Sequence, residues 1–231
     1  RPPRSTLFPY TTLFRSSILA ILLFGCAVMA VVDGVIQPGY AIKSLVKLTL
    51  FLGLPLWWSR QAKVSLRPLF ARPRQGLRTA LLLGAGVFAV ILGGFFLTRG
   101  IFDFSGLTTA LTAGTGVRRE NFLWVALYIS FVNSLLEEFF FRGLGFLLLR
   151  RYLPRRPALG LSCLAFALYH VAMTLGWYGL PVQLLTLAGL ALGGWIFCRL
   201  DEYSDSLWLS WVVHLGANLA TNAIGFLLFA A

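Results

Sequence analysis

The stretch "NSLLEEFFFRGLGFLLLR", residues 133–150, decides the fold class, because it is apolar enough for a membrane yet carries three charged residues in its middle, Glu137, Glu138 and Arg142. A charged side chain at the centre of a membrane helix costs about 2.5–3.5 kcal/mol on insertion-based scales. Glu138 and Arg142 are four residues apart, so they share a helical face and can form an ion pair. Glu137 points about 100° away from that face. Its lack of a partner in its own helix makes Glu137 the better candidate for chemistry.

The rest of the chain has the composition of a membrane protein. Of its 231 residues, 58% are apolar and only 12% are charged, whereas a soluble domain has about 25% charged residues. Several apolar runs approach the roughly 20 residues that an α-helix needs to cross a bilayer. The sequence therefore predicts an all-α, polytopic transmembrane helical bundle of about seven spans. These spans are expected at about 17–33, 40–58, 79–98, 122–149, 157–175, 182–199 and 206–229.

The net charge of +12 comes largely from two basic connectors, residues 60–78 and 150–156. Short loops rich in Lys and Arg stay on the cytoplasmic side of a membrane. Two spans lie between these connectors, so both can occupy that side, where they would contact anionic lipid. We therefore expect membrane lipid as a partner and no nucleic acid. Lys43 and Lys47, near the outer end of the second span, are a mild exception to the rule.

Residues 6–16, "TLFPYTTLFRS", differ abruptly from the pattern that follows them. They resemble the translation of a common sequencing adapter, and they lack the basic start, apolar core and cleavage site of a signal peptide. We therefore expect residues 1–16 to be non-native and residues 17–231 to form a single transmembrane domain. The native start upstream of Ser17 is then not represented, and a further N-terminal helix is expected to be missing.

The only two histidines of the chain, His170 and His214, both fall inside predicted spans. Asn218 follows His214 by four residues and shares its helical face. Together with Glu137 and Glu138, these side chains can form one polar pocket among Phe and Leu residues. Burial raises the pKa of a carboxyl group, which makes it a competent base near neutral pH. Such a base can take a proton from water, while His and Asn donate hydrogen bonds to a developing oxyanion.

Several other interpretations of the polar residues stay open. No Ser, Cys or Asp is placed with a His as a covalent triad, and the chain has no HExxH zinc motif. A divalent metal such as zinc nevertheless remains open, with Glu137, His170 and His214 as its ligands if a metal is used. The charges could instead lock helices together by packing. A proton or cation site in a small transporter is a third interpretation.

Three motifs make residues 120–220 resemble the CPBP family. That family, also called ABI, comprises CAAX-prenyl-type proteases and bacteriocin-processing or immunity proteins. "EEFFFR" (Glu137, Glu138, Arg142) is similar to its EExxxR motif. "FALYH" (Phe166, His170) is similar to FxxxH, and "HLGAN" (His214, Asn218) to HxxxN. The three motifs occur in the family's order, each in a separate predicted span.

The resemblance implies an intramembrane glutamate endopeptidase with about eight transmembrane helices. Carried over, Glu137 and His170 activate water, while His214 and Asn218 stabilise the oxyanion. Glu138, Arg142 and Phe166 take supporting roles.

From these motifs we expect hydrolysis of a peptide bond in a membrane-associated, CAAX-like protein or peptide. The sequence assigns no cofactor and leaves the oligomeric state open. Its economy of loops favours a multi-pass protein of a prokaryotic plasma membrane. The alternative is a non-proteolytic immunity or scaffolding membrane protein.

Overall fold

The computed structural model describes residues 4–174, 177 and 179–230. Within them, seven helices are long and apolar enough to cross a membrane, which confirms the predicted all-α polytopic fold. We number them in chain order as span 1 (Thr11–Ile36), span 2 (Tyr40–Gln61), span 3 (Leu77–Thr98), span 4 (Phe122–Arg151), span 5 (Arg155–Thr174), span 6 (Leu180–Ser204) and span 7 (Trp208–Ala230). The predicted end of the fifth span, residue 175, lies outside the described residues.

The spans combine α-helix with π-helical segments, in which the backbone winds more widely. The α-helices are Arg4–Val31, Tyr40–Leu48, Leu54–Gln61, Leu77–Thr98, Ser105–Thr115, Phe122–Leu127, Ser134–Glu137, Arg155–Thr174, Leu180–Ser204 and Trp208–Ala230. The π-helices are Val32–Ile36, Thr49–Gly53, Tyr128–Asn133 and Glu138–Leu148, and the 3₁₀-helices are Arg67–Phe70 and Leu149–Arg151. Most π-helical segments are short and many lie at functional sites, so the long one in span 4 marks this span for attention.

The helix that contains span 1 begins at Arg4, inside the segment that the sequence marks as adapter-like. Within that segment, the ring of Phe14 lies 5.4 Å from Tyr152 and 6.2 Å from Trp58, measured between ring centroids. These contacts place the end of the segment against span 2 and against the residue that follows span 4. The non-native origin of residues 1–16 stays a prediction.

Span 4 lies at the centre of the bundle. Every residue from 136 to 149 is buried. Apart from its three charged residues, this stretch is apolar on all sides, and such a helix is buried among other helices. Aromatic rings fix its neighbours: Phe140 stacks on Phe51 of span 2 at 3.9 Å, and Phe141 meets Phe166 of span 5 at 5.4 Å. The charged residues of span 4 are therefore enclosed by other helices.

Span 7 packs along span 3 through glycines. A Cβ atom added at Gly216 would lie 2.5 Å from the carbonyl oxygen of Gly84. Small residues allow membrane helices to approach this closely. The contact fixes the position of the segment of span 7 that carries His214.

Candidate active site

The two adjacent carboxylates of span 4 lie where its α-helix passes into the π-helix that starts at Glu138. Glu137 is 2% exposed, and Glu138 and Arg142 are fully buried. Two carboxylates and one guanidinium are thus removed from water, so their charges must be balanced by neighbouring groups.

Glu138 is bound from its own helix and from span 7. Its Oε1 atom lies 3.3 Å from Nη1 of Arg142, as the four-residue spacing predicts. The same oxygen lies 2.7 Å from Nδ1 of His214. A carboxylate accepts hydrogen bonds, so Nδ1 of His214 carries the proton and donates it to Glu138.

Glu137 has an ionic partner that comes from span 2. The ammonium of Lys47 lies 2.5 Å from Oε1 of Glu137, and Lys47 itself is only 3% exposed. Asn133, one turn earlier in span 4, donates to the same oxygen at 3.0 Å. The interpretation of Lys47 as a topological exception at a span end is therefore wrong. The argument that Glu137 is the unpaired carboxylate also fails, because its partner lies 90 residues away in sequence.

The two histidines point at the other oxygen of Glu137. Nδ1 of His170 lies 2.7 Å from the carbonyl oxygen of Phe166, so this nitrogen donates its proton to the backbone. Nε2 of His170 lies 3.9 Å from Oε2 of Glu137, and Nε2 of His214 lies 3.7 Å from it. Both distances are too long for a direct hydrogen bond. Both Nε2 atoms nevertheless lie near the same carboxylate oxygen of Glu137.

This arrangement balances charge and places two imidazole nitrogens near Oε2 of Glu137. Lys47 offsets Glu137, and Arg142 offsets Glu138, so the cluster is formally neutral when both histidines are neutral. Each histidine then has its Nδ1 proton engaged, which makes its Nε2 an acceptor. Oε2 of an ionised Glu137 is an acceptor as well. An added proton, on a bound donor or on one histidine, would therefore reduce the repulsion between these acceptors.

Aromatic rings enclose the guanidinium of Arg142. Its central carbon lies 3.9 Å from the ring centroid of Phe166 and 4.9 Å from that of Phe197 in span 6. A Cβ atom added at Gly194 would lie 3.3 Å from its Nη2 atom, so the glycine leaves room for this side chain. Phe197 also stacks on His214 at 5.4 Å. Phe166 thus supports the site with both its ring and its carbonyl group.

Asn218 binds the backbone of span 4. Its side-chain amide donates to the carbonyl oxygen of Ile129 at 3.0 Å. One turn later, Asn222 donates to the carbonyl oxygen of Ala126 at 3.1 Å and to Ser130 at 3.0 Å. These bonds tie span 7 to the start of span 4, and one proton of the Asn218 amide is already engaged there.

The motif-bearing part of the chain matches a known protease family. Residues 119–220 match the Rce1-like family, described as type II CAAX prenyl endopeptidase Rce1-like. This segment, which is less than half of the chain, is similar to that family. The match runs from the start of span 4 into span 7 and leaves out spans 1–3. No curated protein and no solved structure matches the chain.

The family match and the seven spans describe the class of this protein. It is a multi-pass membrane protein, and its residues 119–220 are similar to a family of endopeptidases. The predicted family resemblance is thereby confirmed. The roles of the individual site residues stay predictions.

The predicted metal ligands are Glu137, His170 and His214. Among the described residues, no group of three His, Cys, Asp or Glu side chains is arranged to hold a metal ion. Oε2 of Glu137 nevertheless lies 3.9 Å from Nε2 of His170 and 3.7 Å from Nε2 of His214. Zinc accepts both imidazole and carboxylate ligands. Metal use is therefore a question for experiment.

Sequence reasoning missed three contributors to the site: Lys47, Asn133 and Phe197. Lys47 carried a signal, since a lysine inside a predicted span is expensive and marks a functional candidate. Asn133 precedes Glu137 by four residues, which predicts a shared helical face. Phe197 carried no signal, because one aromatic residue in a membrane helix is ordinary.

Proposed function

We propose that the protein is an intramembrane endopeptidase in which Glu137 activates water. The observation that supports this is the convergence of Glu137 Oε2 with Nε2 of His170 and of His214, at 3.9 and 3.7 Å. A water molecule has two protons, so it can donate one to Oε2 of Glu137 and the other to Nε2 of His170. Water is also the co-substrate of hydrolysis, so the site would bind one of its reactants.

The proposed reaction begins when Oε2 of Glu137 takes one proton from the water. The oxygen of that water forms a bond to the carbonyl carbon of the scissile peptide, and the carbonyl oxygen becomes an oxyanion. The C–N bond then breaks, and the proton held by Glu137 passes to the leaving nitrogen. His170 orients the water through Nε2, because its Nδ1 is fixed to the carbonyl oxygen of Phe166. A positioned base of this kind contributes about 10²–10⁴-fold to the rate.

His214 is proposed as the oxyanion donor. Before the reaction begins, His214 takes up a proton at Nε2 from solvent, and the Nδ1 bond to Glu138 stabilises the positively charged ring. That proton can be donated to the oxyanion. Glu138 acts through His214, and Arg142 balances the charge of Glu138. Asn218 would add a second donor through the amide proton that does not bind Ile129.

We propose that the reaction proceeds without a metal ion. Support comes from Lys47, which already places a positive charge 2.5 Å from Oε1 of Glu137. A divalent cation on the same carboxylate would meet electrostatic repulsion from this ammonium group. Full activity in the presence of a strong chelator is expected. Inhibition by the chelator that zinc reverses would instead favour a metalloprotease.

The substrate is proposed to be a membrane-associated protein or peptide, with a prenylated CAAX-like sequence as the first class to test. The description of the matched family supports this class, and a site buried among seven spans favours a lipid-anchored chain over a soluble one. We further propose the plasma membrane of a prokaryote as its location.

Glu137→Gln tests the proposal. Purified parent and variant in detergent are incubated with a panel of peptides that includes a farnesylated CAAX peptide, and products are identified by mass spectrometry. New N-termini are also compared in membranes that contain either protein. Glu137→Gln is expected to lower the cleavage rate by about 10²–10⁴-fold. Glu202→Gln is the matched control, because Glu202 lies in a partly exposed ion-pair network with Arg150 and Arg155.

Two results would contradict the proposal. One is a Glu137→Gln variant that cleaves as fast as the parent. The other is a parent protein that cleaves no peptide and creates no new N-terminus, while Glu137→Gln alters only the melting temperature. The second result would favour the scaffolding alternative, in which the polar cluster serves packing.

A further inference from the structure

Lys47 lies outside the segment that matches the Rce1-like family, yet it contacts the candidate base directly. It belongs to span 2, on the helix Tyr40–Leu48, and it is 3% exposed. Its ammonium group is enclosed by aromatic rings, with Tyr169 at 4.9 Å and Phe51 at 5.4 Å. A buried lysine is expensive, so its position calls for a physical reason.

We propose that Lys47, together with Asn133, is a positioning residue that holds one oxygen of Glu137 and directs the other toward the two histidines. This inference rests on the proposed function, because it assigns the part of the same site that orients its base.

Three hydrogen bonds join Lys47, Asn133 and Glu137 in a closed triangle. Lys47 donates to that oxygen at 2.5 Å and to Oδ1 of Asn133 at 2.6 Å. The amide nitrogen of Asn133 donates to the same Oε1 at 3.0 Å. The amide orientation of Asn133 is set by these bonds, since its oxygen must face the ammonium group and its nitrogen the carboxylate.

The triangle makes the two oxygens of Glu137 unequal. Oε1 accepts from two donors, whereas Oε2 lies 3.9 and 3.7 Å from the Nε2 atoms of His170 and His214. Rotation of the carboxylate about its terminal bond would break both bonds to Oε1. The free oxygen is therefore held toward the point where the proposed water binds, and this preorganisation is lost if Lys47 or Asn133 is replaced.

A neighbouring ion pair shows what a purely structural lysine does in this helix. Lys43, one turn before Lys47, lies 2.6 Å from Oδ1 of Asp33 in span 1. Both pairs join span 2 to another helix and both are largely buried. Only the pair of Lys47 includes a residue that faces the histidines. Lys43 is consequently a matched control.

The experiment measures kcat, KM and melting temperature for Lys47→Met, Lys43→Met and Asn133→Leu, on a peptide that the parent cleaves. Methionine keeps the length of lysine and removes its charge. Lys47→Met is expected to lower kcat by about 100-fold, because a small misplacement of a reacting group costs this much. Its KM is expected to stay within about threefold, since Lys47 does not bind substrate. Lys43→Met is expected to keep kcat within about threefold of the parent.

Asn133→Leu removes one donor to Glu137 and leaves no buried charge without a partner. It provides the test if Lys47→Met does not fold. A fall in kcat of about 10-fold with unchanged KM is expected from the loss of one orienting bond.

The inference is overturned if Lys47→Met or Asn133→Leu retains the kcat of the parent. It is also overturned if Lys47→Met and Lys43→Met lower kcat equally, because that result indicates a structural role for both. In each case an inactive Glu137→Gln variant leaves the proposed function standing. An active Glu137→Gln variant overturns the proposed function and this inference together.

Discussion

Replacing Gly216 by alanine perturbs the closest described contact between spans 3 and 7. The new Cβ atom would lie 2.5 Å from the carbonyl oxygen of Gly84, and ordinary contact begins at 3.4 Å. The backbone carbonyl cannot turn aside as a flexible side chain would. The two helices must therefore move apart by about 0.9 Å at this point, the difference between those two distances.

This displacement should affect both stability and catalysis. Overpacking costs about 1–3 kcal/mol, and alanine returns up to about 1 kcal/mol through its better helix propensity. Relative to a variant with the same gain in propensity and no clash, the cost of about 1–3 kcal/mol corresponds to a melting temperature that is lower by about 2–12 °C in a chain of this size. His214 precedes Gly216 by two residues and would move with it. A misplacement of about 1 Å lowers the rate by about 100-fold.

The assay compares Gly216→Ala with Gly86→Ala in detergent, by thermal unfolding and by cleavage of the same peptide. Gly86 is the matched control, because a Cβ atom added there meets no atom within 4 Å. It receives the same gain in helix propensity without the clash. Equal melting temperatures and equal kcat values for the two variants would refute the reasoning, since the close approach would then carry no cost.

Two further predictions concern buried charges. Arg142→Met leaves Glu138 without its cation, which is expected to cost about 3–5 kcal/mol of stability. The double variant Arg142→Met/Glu138→Gln should recover much of the lost melting temperature. No recovery would contradict the ion pair. Asp201→Ala removes the acceptor for the backbone N–H and the hydroxyl group of Ser210 at the start of span 7. Loss of such a cap costs about 0.5–2 kcal/mol of stability. Thermal unfolding measures this loss, with Asp201→Asn as the milder variant. An unchanged melting temperature for Asp201→Ala would contradict this role.

The sequence predicted those features that depend on local spacing. Runs of about 20 apolar residues fix the seven spans, because a helix that crosses a bilayer has a set length. The pair of Glu138 and Arg142 follows from a separation of four residues, which one helix alone brings together. The proximity of His170 and His214 to Glu137 was predicted from the order of three motifs in separate spans, and the structure places them together.

The tertiary structure alone decided which partner a charge receives from another helix. Lys47 and Glu137 are 90 residues apart, and no periodicity within either helix relates them. The protonated nitrogen of each histidine follows from its neighbour, Phe166 in one case and Glu138 in the other. Pairing across helices depends on the rotation and depth of each helix in the bundle, which aromatic stacking and the close approach of Gly84 and Gly216 determine. Spacing along the chain specifies which face of a helix is polar, and packing specifies what that face meets.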